Sequence, residues 1–269
     1  MKLRPALLPL LLVLAVPLRG EASDVQPPGG SASEAATDDA ASLPFEWART
    51  FWQSLKPRKG SMDLAEGIAT IDVPEGFLFL DASDTERVLT EAWGNPPGSG
   101  ALGMLLPEGM TPFDAGAWAV TITYEETGYI SDAGAELDAG KLLSRLQRDA
   151  ARETETRKAE GYESFAVVGW MQQPHYDPAS HTLSWGRVLR FGSLQGNTLN
   201  VSIRLLGRQG MLSIELVADE AQQAEVATAA GKLLAMARFN PGYRYEDFDA
   251  ARDRRSDTGL GGLITGTMP

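Results

Sequence analysis

The 269-residue chain contains no cysteine and only two histidines. The first absence removes disulfides, thiol nucleophiles, thiolate-bound zinc and iron–sulfur clusters together. The second means that any histidine-based triad must use His175 or His181. Basic side chains are also scarce. Against 36 Asp and Glu stand 24 Lys and Arg, a formal charge of −12 with a pI near 4.7. That balance argues against nucleic acid and against anionic membrane surfaces as main partners. The chain has no G-x-S-x-G elbow, no H-E-x-x-H, no Walker A loop and no G-x-G-x-x-G turn. Gly140-Lys141 and Gly231-Lys232 lack the glycine loop that would precede a phosphate-binding lysine. No cofactor is expected, and no repeat appears at solenoid periods.

What the chain does have is apolar content. With 43% hydrophobic and 8% aromatic residues it can bury a core over most of its length. Its N-terminus reads as an address. Lys2 and Arg4 precede a 13-residue apolar stretch, 6–18, broken by Pro9 and Pro17, and Gly20 and Ala22 are small residues two apart. This is the order of a secretory signal peptide over 1–22, and the stretch is short of the ~20 residues that span a bilayer. The alternative is an uncleaved N-terminal anchor. Cleavage after Ala22 would leave 21 basic against 35 acidic residues, a charge of −14. Residues 23–42, rich in Ser, Ala, Gly and Asp, are expected as a flexible leader. Residues 43–57 are expected as a short amphipathic helix carrying Phe45, Phe51, Trp52 and Leu55, ended by Pro57.

The globular part predicts one α+β domain, a mainly antiparallel sheet packed by three helices in the order β-β-α-β-β-α-β-β-β-β-α. Strands are expected at 68–73, 77–80, 101–106, 117–125, 165–171, 182–191, 197–206 and 211–217, from alternation and turn chemistry. Helices follow a capping box at Ser83 and Glu86, span 138–158, and close the domain over 220–237. In the long helix the half from Arg152 to Glu160 is polar all round and is expected to project beyond the core. Gly94 is expected to cap the first helix at positive φ, with Trp93 ending its stripe.

Several segments resemble a bacterial family known as domain of unknown function 2167, described as predicted membrane proteins. They are Glu91-Ala92-Trp93-Gly94-Asn95-Pro96-Pro97, Pro112-Phe113-Asp114 with Trp118-Ala119-Val120, and Tyr124-Glu125-Glu126 with Gly128-Tyr129-Ile130-Ser131-Asp132. They continue through Gly169-Trp170, Pro174-His175-Tyr176-Asp177, His181, Leu189-Arg190-Phe191-Gly192, Thr198-Leu199-Asn200 and Phe239-Asn240-Pro241-Gly242 with Tyr245. The likeness covers about residues 60–248. It implies a signal peptide, an exported domain and membrane association through a C-terminal anchor, and it carries no activity. Residues 249–269 depart from that pattern: they hold no apolar span of ~20 residues and are expected as a flexible tail. The element order is also similar to the PsbP/Mog1 type of antiparallel sheet, a likeness of fold alone.

Three constellations bear on function. Within 174–181, His175, Asp177 and His181 could hold a divalent metal, while Asp177-Pro178 is equally the chemistry of a β-connection. On the hairpin, Asn200, Ser202 and Arg204 share one strand face. If the turn pairs Phe191 with Asn197, Arg204 lies across from Ser184 and Arg190 across from Thr198. Arg190, Asn200 and Arg204 would then form a row able to hold a carboxylate or phosphate, or simply a solvated sheet face. Glu125, Glu126, Asp132, Glu136 and Asp138 form an acidic cluster read as a solvated loop. Trp93, Trp118, Trp170 and Trp185 are read as core. The preferred reading is a non-enzymatic exported domain, in the periplasm or on the periplasmic face of the inner membrane, that binds another envelope component. The alternative is a metal-dependent or hydrolytic enzyme using His175, Asp177 and His181.

Overall fold

Seven antiparallel strands form the long sheet, in the order β3-β4-β5-β9-β8-β7-β6. These are β3 (Phe77–Asp81), β4 (Gly103–Pro107), β5 (Ala119–Glu125), β6 (Phe165–Asp177), β7 (Thr182–Phe191), β8 (Thr198–Leu206) and β9 (Met211–Asp219). A second sheet, β1-β2-β10, is built from β1 (Ser61–Leu64), β2 (Ala69–Asp72) and β10 (Ala237–Phe239). The helices are α1 (Asp39–Ser54), α2 (Ala82–Arg87), α3 (Ala139–Ala159), α4 (Gln223–Leu233) and α5 (Leu260–Thr265). This computed structural model describes residues 39–133, 137–159, 164–192 and 196–266, with side chains of α1 from residue 46 onward. The expected signal peptide and residues 23–38 of the leader lie outside the described residues. Among those described, no helix is long and apolar enough to cross a membrane.

Strand parity decides the layers, because successive side chains point to opposite faces. One face of the long sheet presents Phe79, Leu105, Val120, Ile122, Ile203, Ile214 and Leu216. It packs against Val226, Ala229 and Leu233 of α4 and Leu64, Ile71 and Phe239 of the small sheet. Side chains such as Val120 and Ile122 are fully enclosed, each contributing roughly 1.5–3 kcal/mol of transfer free energy. The opposite face is covered at its two ends. Over β3 and β4, Leu80, Met104 and Leu106 meet Phe51 and Leu55 of the α1 region and Val88, Leu89 and Trp93 behind α2. Over β6 and β7, Phe165, Val167, Trp185 and Leu189 meet Leu146 and Ala150 of α3 and Leu260, Leu263 and Ile264 of α5.

All eleven expected elements stand in the expected order. Short β1, β10 and α5 are additional, as four-, three- and six-residue pieces carry little periodicity. The capping box is corrected. Asp81, one residue before α2, caps the helix by accepting from the Asp84 amide at 3.1 Å. Glu86 turns instead to the Gly98 amide and the Ser99 hydroxyl, each at 2.6 Å. Those donors hold its carboxyl below the usual carboxylate range. Gly94 does cap at φ 67, its amide meeting Thr90 O at 3.1 Å, and Trp93 is buried.

Two further expectations are corrected. The second half of α3 does not project, since Thr154 is buried and exchanges hydrogen bonds with the Phe165 backbone at 2.7 and 3.1 Å. The tail is not loose over its described length. The Arg208 guanidinium donates to Asp253 at 2.7 and 3.2 Å, Tyr129 bridges Arg255, and α5 buries Leu260, Leu263 and Ile264. The apolar side chains of a Gly-rich segment find the ready-made surface of α3.

Candidate functional site

Between the two helical covers the long sheet carries a charged trough. On β8, Asn200, Ser202 and Arg204 stand on one face, as every second residue must. The register places Arg187 across from Asn200, and on β9 Glu215 across from Ser202 and Ser213 across from Arg204. Glu215 is the centre. It accepts from Arg204 Nη2 at 2.6 Å, Ser202 Oγ at 2.8 Å and Asn200 Nδ2 at 3.0 Å. Arg187 Nη2 donates to Asn200 Oδ1, and Ser213 Oγ donates to Glu125 on β5. The Arg204 guanidinium lies 5.1 Å from the Trp185 ring centroid.

The trough is only partly open. Glu215 keeps 23% of its side-chain surface accessible and Arg204 only 7%. Burial alone would raise the Glu215 carboxyl. Arg204, then Arg187, and the hydrogen bonds from Ser202 and Arg204 outweigh it and hold the group below its ordinary range. Burial pushes Arg187 the other way, down from the usual guanidinium range, and Glu215 offsets part of that. Two donors here have no partner among the described residues: Trp185 Nε1 and Arg187 Nε are both buried and unbonded.

Of the row read from the sequence, Asn200 and Arg204 come together and Arg190 does not. The hairpin register is one residue away from the expected one, with Leu183 opposite Arg204 and Leu189 opposite Thr198. A slip of one exchanges faces. Arg190 therefore lies exposed on the far side, donating to Asn197 Oδ1 at 3.0 Å. Arg187 and Glu215 are the residues the sequence reading missed. Their signal was present: Arg187 is the lone charge in the alternate row Leu183-Trp185-Leu189, and Glu215 interrupts Met211-Ser213-Val217 before Asp219 ends the strand.

His175, Asp177 and His181 do not assemble. His175 is exposed on β6 opposite Ser184. Asp177 closes the following turn, accepting from the Ala179 amide at 2.9 Å and Ser180 Oγ at 2.7 Å, which lowers its carboxyl. His181 is turned away at φ 50 and stacks on Tyr245, ring centroids 4.0 Å apart. Among the described residues no group of three His, Cys, Asp or Glu side chains is placed to hold a metal ion.

His181 belongs to another cluster. Tyr176 Oη donates to Asp132 Oδ2 at 2.8 Å and lies 3.2 Å from His181 Nδ1, and Tyr245 Oη donates to Asp132 Oδ1 at 3.0 Å. Burial first, and then the Asp132 acceptor, raise the Tyr176 hydroxyl well above its ordinary range. Tyr245 continues into a ring stack with Tyr129 and Phe248, capped by Arg255. Its protonated, hydrogen-bonded hydroxyls fit a clasp for the C-terminal segment rather than acid–base chemistry. The acidic cluster is dispersed: Asp132 serves this clasp, Glu125 the trough, and Asp138 caps α3 at the Lys141 amide, 2.9 Å. Glu136 lies outside the described residues.

A family model described as "Protein of unknown function (DUF2167)" matches residues 56–268. No curated protein matches the chain. Among solved structures, the chain is similar to cyanobacterial PsbP from Synechocystis sp. PCC 6803, at a TM-score of 0.37 and 10% identity, covering 67% of this chain and 91% of that one. It is also similar to the Ran-binding protein Mog1p of Saccharomyces cerevisiae, at a TM-score of 0.34 and 12% identity, covering 69% and 96%.

Proposed function

We propose that this chain, which belongs to the DUF2167 family of proteins of unknown function, is an exported cell-envelope domain that binds another envelope component through the charged trough. The observation that supports binding is the Arg187–Glu215–Arg204 group, set in the gap between two helical covers with about a quarter of Glu215 still open. A buried charged group contributes little net stability compared with apolar packing of the same volume. A fold that keeps one on a sheet face it could have filled with Leu and Val is using it for recognition. Export rests on the order of charge, apolar stretch and small residues in 1–22.

Affinity purification from a detergent-solubilised envelope, run in parallel with wild type and Arg187→Met, tests the binding reading. A component captured by the wild type and lost from the folded variant is expected. Equal capture by both would refute the trough as the binding surface. Fractionation of a double-membrane bacterium expressing the chain tests export. Recovery outside the cytoplasm, at a mass lacking residues 1–22, is expected, and recovery of the full-length chain in the cytoplasm would contradict it.

A further inference from the structure

Among the tryptophans packed in or against the core, three have their indole donors satisfied by acceptors of the fold. Trp93 Nε1 donates to Pro112 O at 2.9 Å, Trp118 Nε1 to Glu225 Oε1 at 3.1 Å and Trp170 Nε1 to Ala139 O at 3.0 Å. Trp185 Nε1 is buried and has no acceptor. Two residues along the same strand face, Arg187 Nε is in the same condition. Positions i and i+2 on a strand are about 7 Å apart, within reach of one ligand for side chains of this length. A buried donor without an acceptor costs roughly 1–3 kcal/mol, so two side by side is not an arrangement that folding favours for itself. Both groups are donor-only, and the missing element is therefore an acceptor.

The local charge narrows the chemistry. Arg187 and Arg204 exceed Glu215 by one positive charge, and Glu125 stands on the same face one strand further along. With Glu125 counted the four charges balance, so a ligand carrying one negative charge burdens the trough less than a dianion does. The geometry points to a carboxylate-binding site at Trp185 and Arg187, in which one planar carboxylate of the ligand accepts from the indole N–H and from the guanidinium. This rests on the trough being the binding surface and names the group it takes. Entry is on the side of Arg187 and Glu215, which retain accessible surface, while Trp185 and Arg204 form the floor. The long Arg187 side chain is the part able to move aside.

The test uses the indole N–H resonances of the 15N-labelled chain, with the Trp185 signal assigned through Trp185→Phe. The probe is acetate, compared with chloride at equal ionic strength and with inorganic phosphate. A saturable shift confined to Trp185, with acetate binding in about the millimolar range, is expected, while Trp93 and Trp170 stay in place. Arg187→Lys keeps the charge and removes the Nε donor. It should weaken the acetate response about tenfold, as loss of a hydrogen bond to a charged group does. Arg187→Met should abolish it. No acetate shift beyond that of chloride, or a stronger response to phosphate, would overturn the carboxylate assignment. If an envelope component were still lost from Arg187→Met in that case, the trough would stand as the binding surface and only the ligand chemistry would fall.

Discussion

Glu215 is the residue on which the trough turns. Its carboxylate balances two guanidiniums and takes three hydrogen bonds, so a neutral amide there leaves two buried cations uncompensated. Glu215→Gln should lower the free energy of unfolding by about 3 kcal/mol, measured by urea denaturation. The same residue sets a pH dependence. Its folded carboxyl lies below the ordinary value, so its contribution is present above the unfolded glutamate pKa of about 4.3 and is lost as pH falls toward the folded value. The wild type should lose stability in that acid range, and Glu215→Gln should show a flatter profile there. At this scale the sequence was half legible. Alternation along β8 put Asn200, Ser202 and Arg204 on one face correctly. Which residues of β7 join them depended on the register of β7 against β8, which alternation does not encode. A one-residue error there chose Arg190 in place of Arg187.

At the scale of elements, the segment after β10 is the part that departs most from its composition. Residues 249–266 look like a polar, glycine-rich tail, yet backbone pairing with Tyr129, the Arg208–Asp253 pair and the ring stack fasten them to the sheet. Hydrogen bonds from Arg208, then from the Asp249 amide, pull the Asp253 carboxyl down to about 2. The loop it meets tolerates little change: a Cβ on Gly128 would stand 2.9 Å from the Arg254 carbonyl oxygen. Asp253→Asn should therefore raise amide hydrogen exchange across 249–266 while leaving β8 and β9 protected. Exchange unchanged in that segment would mean that the stacked rings alone hold it. In the wild type the Asp253 contribution holds above the unfolded aspartate pKa of about 3.9 and fades as pH falls toward 2. Long strands and helices were legible because 3.6- and 2-residue periods repeat within them. The tail and the clasp were not, because their partners, Tyr129, Asp132 and Arg208, are distant in sequence and only the fold brings them together.

Across the whole molecule, two apolar layers hold the long sheet and the charged trough interrupts one of them. On the proposed function this interruption serves recognition and not folding. This is tested most directly by equilibrium denaturation of the chain carrying Arg187→Met, Arg204→Leu and Glu215→Leu together with Asn200→Leu and Ser202→Ala, which removes the three charges and the two buried polar side chains that bond to them. Replacement of a buried ionic group by apolar side chains of similar volume is commonly neutral or stabilising by about 1–4 kcal/mol. An unfolding free energy equal to or above that of the wild type is expected, with an unchanged dependence on denaturant. A loss of more than about 3 kcal/mol, the amount expected from breaking a buried pair, would contradict it and make the trough a fastening of the fold.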